Sequence, residues 1–136
     1  MTMNQVIGWI VFVPAVFLAS ALTFALMTLL WNVVANFNLV PQSDIISLGL
    51  ANFGINSASA AAGVAAGAAV LPSVKGPAAI AAATVSVALA LGLLAWAFAG
   101  DSPLGMSVGW HAWSTVGWVL GAAASAVGIR NEVKSA

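Results

Sequence analysis

Apolar residues in this chain form four long runs, at residues 6–31, 45–71, 77–99 and 106–129, separated by short polar segments. Each run exceeds the roughly 20 residues that an α-helix needs to cross a hydrocarbon layer about 30 Å thick. The three basic and three acidic residues all lie outside the runs. The pattern predicts an all-α integral membrane protein whose four transmembrane helices form an antiparallel bundle.

The composition supports the same interpretation. Hydrophobic residues make up 62% of the chain and charged residues 4%, whereas about a quarter of the residues in a soluble domain are charged. The connections are short, so residues 1–136 are expected to form a single membrane domain surrounded by lipid. Three basic residues are too few for a nucleic-acid partner. The absence of cysteine excludes disulfides and thiolate chemistry.

The basic residues predict an orientation. An even number of spans places both termini on one side of the membrane, and Lys75, Arg130 and Lys134 all fall on that side. The positive-inside rule makes it the cytoplasmic side, which leaves Asp44 and Asp101 on the opposite face. We expect a multi-pass protein of a prokaryotic inner (cytoplasmic) membrane.

Tryptophans lie near the ends of the apolar runs, where indoles anchor helices at membrane interfaces. Trp9 and Trp31 are 22 residues apart, or about 33 Å along a helix. Thr28, Asn32 and Asn36 follow at four-residue spacing, which indicates that the first helix continues beyond the membrane. The predicted interface anchors are Trp9, Trp31, Trp96, Trp110 and Trp113.

Small residues recur every four positions in the second and fourth runs. Such faces let helix backbones approach closely in lipid, where apolar side chains gain little by leaving the bilayer. The pattern predicts helix packing, either within the chain or between subunits. The predicted packing residues are Ser59, Gly63, Gly67, Gly105, Gly109, Gly117, Gly121 and Ser125.

Polar side chains near the outer ends of three spans form the strongest functional lead. They are Asn32, Asn36, Asn52, Asn56, His111, Ser114 and Thr115. An unpaired amide in hydrocarbon costs several kcal/mol, so these groups should face one another, water or a ligand. Two interpretations are open: an interhelical hydrogen-bond network, and a hydrated vestibule or binding pocket. Trp118 also needs an acceptor for its indole N–H and is expected to close the floor of the cluster.

His111 is the single histidine and lies between Trp110 and Trp113. It has three open interpretations: an interfacial residue, a hydrogen-bond partner of the asparagines, or an axial ligand of haem or chlorophyll. One histidine supplies one ligand, so the sequence predicts no metal site within the chain. Lipid is the only other expected cofactor.

No run carries a carboxylate, a thiol or a histidine cluster, which argues against an enzyme. The leading hypothesis is a small non-catalytic membrane subunit. It would pack through its Gly, Ala and Ser faces against itself or other integral membrane proteins. The alternative is an oligomeric channel or carrier for a small neutral or weakly polar solute, with the Asn and His cluster as its outer vestibule.

Overall fold

A computed structural model describes residues 1–37, 39, 44–100 and 107–136. These residues form four α-helices: α1 (Met3–Asn36), α2 (Ile45–Ala69), α3 (Lys75–Phe98) and α4 (Val108–Ser135). A 3-10 helix, Pro72–Val74, leads into α3. All four α-helices are long and apolar enough to span a membrane, which confirms the predicted all-helical bundle. Gly105 and Asp101 lie outside the described residues.

The first two helices begin at side-chain caps. Thr2 and Gln5 form a capping box: Thr2 Oγ1 accepts from the Gln5 backbone N–H at 3.4 Å, and Gln5 Oε1 accepts from the Thr2 N–H at 3.0 Å. This box starts α1 ahead of the apolar run. At α2, Asp44 Oδ1 accepts from the Ile46 N–H at 3.1 Å.

One end of the bundle is held by polar contacts between chain segments far apart in sequence. Lys75 Nζ lies 3.8 Å from Glu132 Oε2, and Gln5 Nε2 donates to Ser73 Oγ at 3.5 Å. We call this end the terminal end. Here α4 extends beyond the predicted boundary at residue 129 to Ser135, because its helical hydrogen bonding continues after the apolar run stops.

The helices do not surround a common axis evenly. α2 packs against α1, α3 and α4, and α3 packs against α4. α1 packs along α2 and approaches α3 only slightly, and within the described residues its backbone does not come close to that of α4. The bundle is therefore closed between α2, α3 and α4 and open beside α1.

The half of the bundle nearer the terminal end is filled by small and medium apolar side chains. Alanine dominates this core, which allows the backbones to approach closely. The core cluster comprises Phe12, Val16, Ala60, Val64, Ala68, Leu71, Ala78, Ala79, Ala82, Ala122 and Ala126.

Two glycines of α2 bring α1 and α3 into contact with it. A Cβ on Gly67 would lie 2.8 Å from Val16 Cγ2 and 2.9 Å from Ala82 Cβ. A Cβ on Gly63 would lie 2.9 Å from the Val16 carbonyl oxygen and would overlap the Ser20 hydroxyl. A larger side chain at either position would force the helices apart.

The α2–α4 contact depends on glycine in the same way. A Cβ on Gly117 would lie 2.9 Å from the Phe53 carbonyl oxygen, and one on Gly121 would lie 2.6 Å from Ser57 Cα. Gly109 differs, because it is exposed and its nearest such neighbour is Ser107 Oγ of its own helix cap, at 4.0 Å. The small faces around Gly117 and Gly121 are thus used inside the chain.

Candidate functional site

A ladder of side-chain hydrogen bonds joins α2 to α4. Within the described residues it has four rungs: Trp113 Nε1 to Gly49 O (2.7 Å), Ser114 Oγ to Asn52 Oδ1 (2.9 Å), Ser57 Oγ to Gly117 O (2.8 Å) and Ser125 Oγ to Ala61 O (3.2 Å). The Trp113 ring also packs on Phe53, with ring centroids 5.6 Å apart. The ladder links α2 to α4 through hydrogen bonds spread over about three turns of each helix.

The structure brings five of the predicted polar residues onto one cavity: Asn52, Asn56, His111, Ser114 and Thr115. Several of them are bonded locally. Asn56 Nδ2 donates to Asn52 O at 2.7 Å, and Thr115 Oγ1 donates to His111 O at 2.8 Å. Asn56, His111 and Thr115 are buried. Hydrogen-bonded polar side chains therefore line this cavity. The hydrated vestibule stays a prediction.

Asn32 and Asn36 do not join this group. Both are exposed on the last turns of α1, and neither lines the cavity. The reason is the packing of α1, which follows α2 and keeps its backbone away from that of α4 in the described part of the chain. Similar depth along the helices was therefore not enough to bring these asparagines to His111.

The cavity has a volume of about 430 Å³ and takes residues from all four helices. This volume lies within the roughly 300–1,000 Å³ typical of small-molecule sites. Its walls are mostly apolar. The apolar wall residues are Val16, Phe17, Ala21 and Phe24 of α1 and Leu89, Ala90 and Leu93 of α3.

The mouth of the cavity faces sideways, between α1 and α3. Phe17 and Phe24 on α1, with Leu89 and Leu93 on α3, line the cavity and are still 40–44% exposed. Since α1 and α3 touch only slightly, these four side chains form the rim of a gap. We call them the apolar rim.

Three residues that line the cavity each carry a buried polar atom without a hydrogen-bond partner among the described residues: Ser20 Oγ, Ser86 Oγ and Trp118 Nε1. A buried polar group left unpaired costs about 1–3 kcal/mol. The sequence indicated the need of Trp118 for a partner, but it did not single out Ser20 or Ser86. Both are hydroxyl residues within predominantly apolar runs, which also contain the hydroxyl residues Thr23, Thr28 and Thr84.

The predicted tryptophan anchors lie toward the helix ends. Trp9, Trp96 and Trp113 are exposed, and Trp31 and Trp110 are partly buried. Trp113 additionally supports the α2–α4 ladder through its indole N–H, a role that its position alone did not indicate.

No group of three or more His, Cys, Asp or Glu that could hold a metal ion occurs within the described residues. His111 is 4% exposed and lines the cavity as its one ionisable side chain among those residues. The haem or chlorophyll interpretation of His111 stays a prediction.

These features define a class: an all-helical bundle of four helices of membrane-spanning length, closed at one end and hollow beside α1. Comparison with known protein families, curated proteins and solved structures found no match. The chemistry of the cavity must therefore be inferred from the residues of this chain alone.

Proposed function

We propose that this chain is an integral membrane protein that binds a small uncharged molecule in the cavity between its helices, without catalysing a reaction. The cavity carries the proposal. It combines a volume of about 430 Å³ with apolar walls and a few convergent polar groups, which is the usual composition of a small-molecule site.

The outward surface supports insertion in a membrane. Large apolar side chains such as Leu22, Leu26 and Phe98 are 57–70% exposed, an arrangement that lipid accommodates and water disfavours. We propose four antiparallel spans with the terminal end in the cytoplasm, in agreement with the positive-inside rule for Lys75, Arg130 and Lys134. The prokaryotic inner membrane is part of the same proposal.

A pore through one chain is not favoured, because the cavity does not continue to the terminal end. There the alanine-rich core fills the bundle, and Ala78, Ala79 and Ala82 are fully buried. The channel or carrier hypothesis therefore requires movement of a helix or a second chain. Binding requires neither.

The lining supports a non-catalytic role. Among the described residues, no carboxylate or thiol lines the cavity, so the usual pairs for acid–base or nucleophilic catalysis are not assembled there. One imidazole among hydroxyls and amides is suited to hydrogen bonding.

The hypothesis of a subunit in a larger assembly stays a prediction. Its sequence support was the small faces of α2 and α4, and Gly63, Gly67, Gly117 and Gly121 contact other helices of the same chain. We favour binding of a small uncharged molecule over the subunit hypothesis, because the cavity offers a site for such a molecule.

A cavity-filling variant tests the proposal. Ala90 is 8% exposed and lines the cavity, so Ala90→Phe should fill it with a phenyl ring. Ala95→Phe is the matched control on the exposed side of α3. Fluorine NMR of para-fluorobenzyl alcohol, with the protein in lipid nanodiscs, should show saturable binding to the wild type and to Ala95→Phe, and its loss in Ala90→Phe. Equal binding to all three proteins, or none to the wild type, would contradict the proposal.

A further inference from the structure

The mouth of the cavity lies at the depth of lipid chains in the proposed bilayer. Phe17 and Phe24 of the apolar rim lie between the predicted interface anchors Trp9 and Trp31. Phe17 is eight residues from Trp9, and Phe24 is seven residues from Trp31. Each is thus about 10–12 Å along the helix from the nearer indole. The mouth between α1 and α3 therefore opens onto hydrocarbon, away from both layers of headgroups.

Polar side chains at the cavity direct their hydrogen bonds into the protein. Asn56 Nδ2 and Thr115 Oγ1 donate to backbone carbonyls of their own helices, at 2.7 and 2.8 Å. Ser114 Oγ donates to Asn52 Oδ1 at 2.9 Å. These donors are therefore already used by the fold, and a ligand would have to break a bond to recruit one of them.

The unpaired polar atoms of Ser20, Ser86 and Trp118 are covered by protein and do not face the cavity. Ser20 Oγ, for example, packs against Gly63 of α2. These residues present their carbon atoms to the cavity, and its surface is mainly carbon as a result. The cavity is therefore suited to hydrocarbon.

The cavity surface also disfavours water. A buried water needs two to four polar partners, and cavities lined by apolar groups stay dry. An empty cavity would deprive its walls of dispersion contacts on one side. In the proposed bilayer, lipid chains surround the apolar rim and are available to supply those contacts.

The volume distinguishes a hydrocarbon chain from a helix of another protein. The α1 wall of the cavity runs from Val16 to Phe24, about 12 Å along the helix axis. A helix segment of that length, about 10–12 Å in diameter, would occupy roughly 1,000 Å³. The cavity volume is about 430 Å³, so a helix does not fit inside, whereas the much thinner hydrocarbon chain does.

We infer that the cavity takes the end of an acyl chain from a bilayer lipid, which enters between α1 and α3 while the headgroup stays at the membrane interface. This inference rests on the proposed function and names its ligand class: a hydrocarbon chain without a polar group at its buried end. The chain passes the apolar rim and contacts the side of α4 that carries Thr115.

Photolabelling from within the bilayer tests this position. The protein is placed in nanodiscs with a phosphatidylcholine that carries a diazirine near the terminal methyl group of one acyl chain. Light converts the diazirine to a carbene that inserts into neighbouring side chains, and mass spectrometry locates the adducts. Thr115 lines the cavity and is 9% exposed, whereas Val116 is 45% exposed and lies outside it. Surrounding lipid should label Val116, and only a chain inside the cavity should label Thr115.

A second probe tests which end of the lipid enters. With the diazirine beside the ester carbonyl, Thr115 should stay unlabelled, because that end remains at the interface. Trp113, an exposed residue closer to the start of α4, should be labelled by this probe and serves as its positive control.

Two variants test the route. Ala90→Phe should fill the cavity and abolish the Thr115 adduct while the Val116 adduct persists. Ala21 lines the cavity but is exposed, so Ala21→Phe should obstruct the mouth without overpacking the core, and it should also reduce the Thr115 adduct. Ala95→Phe, on the exposed side of α3, should leave both adducts unchanged. Circular dichroism reports whether each variant is folded.

The outcomes distinguish this inference from the proposed function. Suppose that Thr115 is unlabelled in wild-type protein that still binds para-fluorobenzyl alcohol. The acyl-chain inference would then be wrong, and the proposed function would stand. A Thr115 adduct that persists in both folded cavity variants, or that forms with the carbonyl-side probe, would also overturn the inference. Absence of both the Thr115 adduct and alcohol binding in the wild type would refute both proposals.

Discussion

Adding one methyl group at the α2–α4 contact should measurably destabilise the protein. A Cβ on Gly121 would lie 2.6 Å from Ser57 Cα and 2.7 Å from the Ser57 carbonyl carbon. The preferred separation of two carbon atoms begins near 3.5 Å. In Gly121→Ala the two helices must therefore move apart locally by about 1 Å.

That displacement breaks neighbouring rungs of the ladder. The Ser57 Oγ to Gly117 O distance is 2.8 Å and the Ser125 Oγ to Ala61 O distance is 3.2 Å. An increase of about 1 Å takes both beyond hydrogen-bond range. Interhelical hydrogen bonds in membranes average about 0.6 kcal/mol each, and overpacking strain adds about 1–3 kcal/mol. The better helix propensity of alanine offsets about 1 kcal/mol, which leaves a net loss of about 2 kcal/mol.

Unfolding by sodium dodecyl sulfate, followed by circular dichroism, measures this loss. The unfolding equilibrium constant should rise roughly thirtyfold, the equivalent of about 2 kcal/mol. Gly128→Ala is the matched control, because Gly128 lies on the same helix and nothing approaches its Cβ position within 4 Å. Gly128→Ala should be neutral or slightly stabilising. If the two variants were equally stable, the close contact between Gly121 and Ser57 would be wrong.

Two further predictions concern the ends of the bundle. The chain has no cysteine of its own, so single cysteines can be introduced as labels. Cysteines at Ser73 and Ser135 should be protected from an impermeant thiol reagent in intact cells, and one at Asn36 should be labelled. The reverse pattern would invert the proposed topology. Lys75→Met should lower the free energy of unfolding by less than about 1 kcal/mol. The side chains of Lys75 and Glu132 are 41% and 72% exposed, and exposed ion pairs contribute little. A loss well above this in the same detergent titration would contradict the assignment of Lys75 and Glu132 as a weak surface pair.

Apolar run length was sufficient to predict the number of helices and most of their positions. It was not sufficient at two ends, for different physical reasons. Thr2 and Gln5 start α1 early through backbone capping, which hydropathy does not record. α4 continues beyond Arg130 to Ser135. The end of an apolar run marks where the chain can leave the membrane, but helical hydrogen bonding can continue past that point. Helix ends depend on local polar contacts that vary independently of hydropathy.

The sequence predicted the part of the candidate site that α2 and α4 contribute. It predicted the contributions of α1 and α3 less well. The polar groups of α2 and α4 came together because small residues bring those helices into contact. Asn32 and Asn36 were expected in the same cluster, and they stay apart because sequence spacing does not reveal which helices touch. No spacing pattern distinguishes Ser20 and Ser86 from the other hydroxyl residues of their runs, and the fold brings both residues to one cavity.

The open packing of α1 gives this helix a mechanical role distinct from the others. α1 rests on α2 through Gly63 and Gly67, and no rung of the α2–α4 ladder involves it. A tilt of α1 about that glycine contact would change the width of the gap between Phe17 and Leu89 while the ladder stays intact. The width of this gap, and with it the size of a molecule that could pass, follows from how α1 packs on the glycine contact with α2.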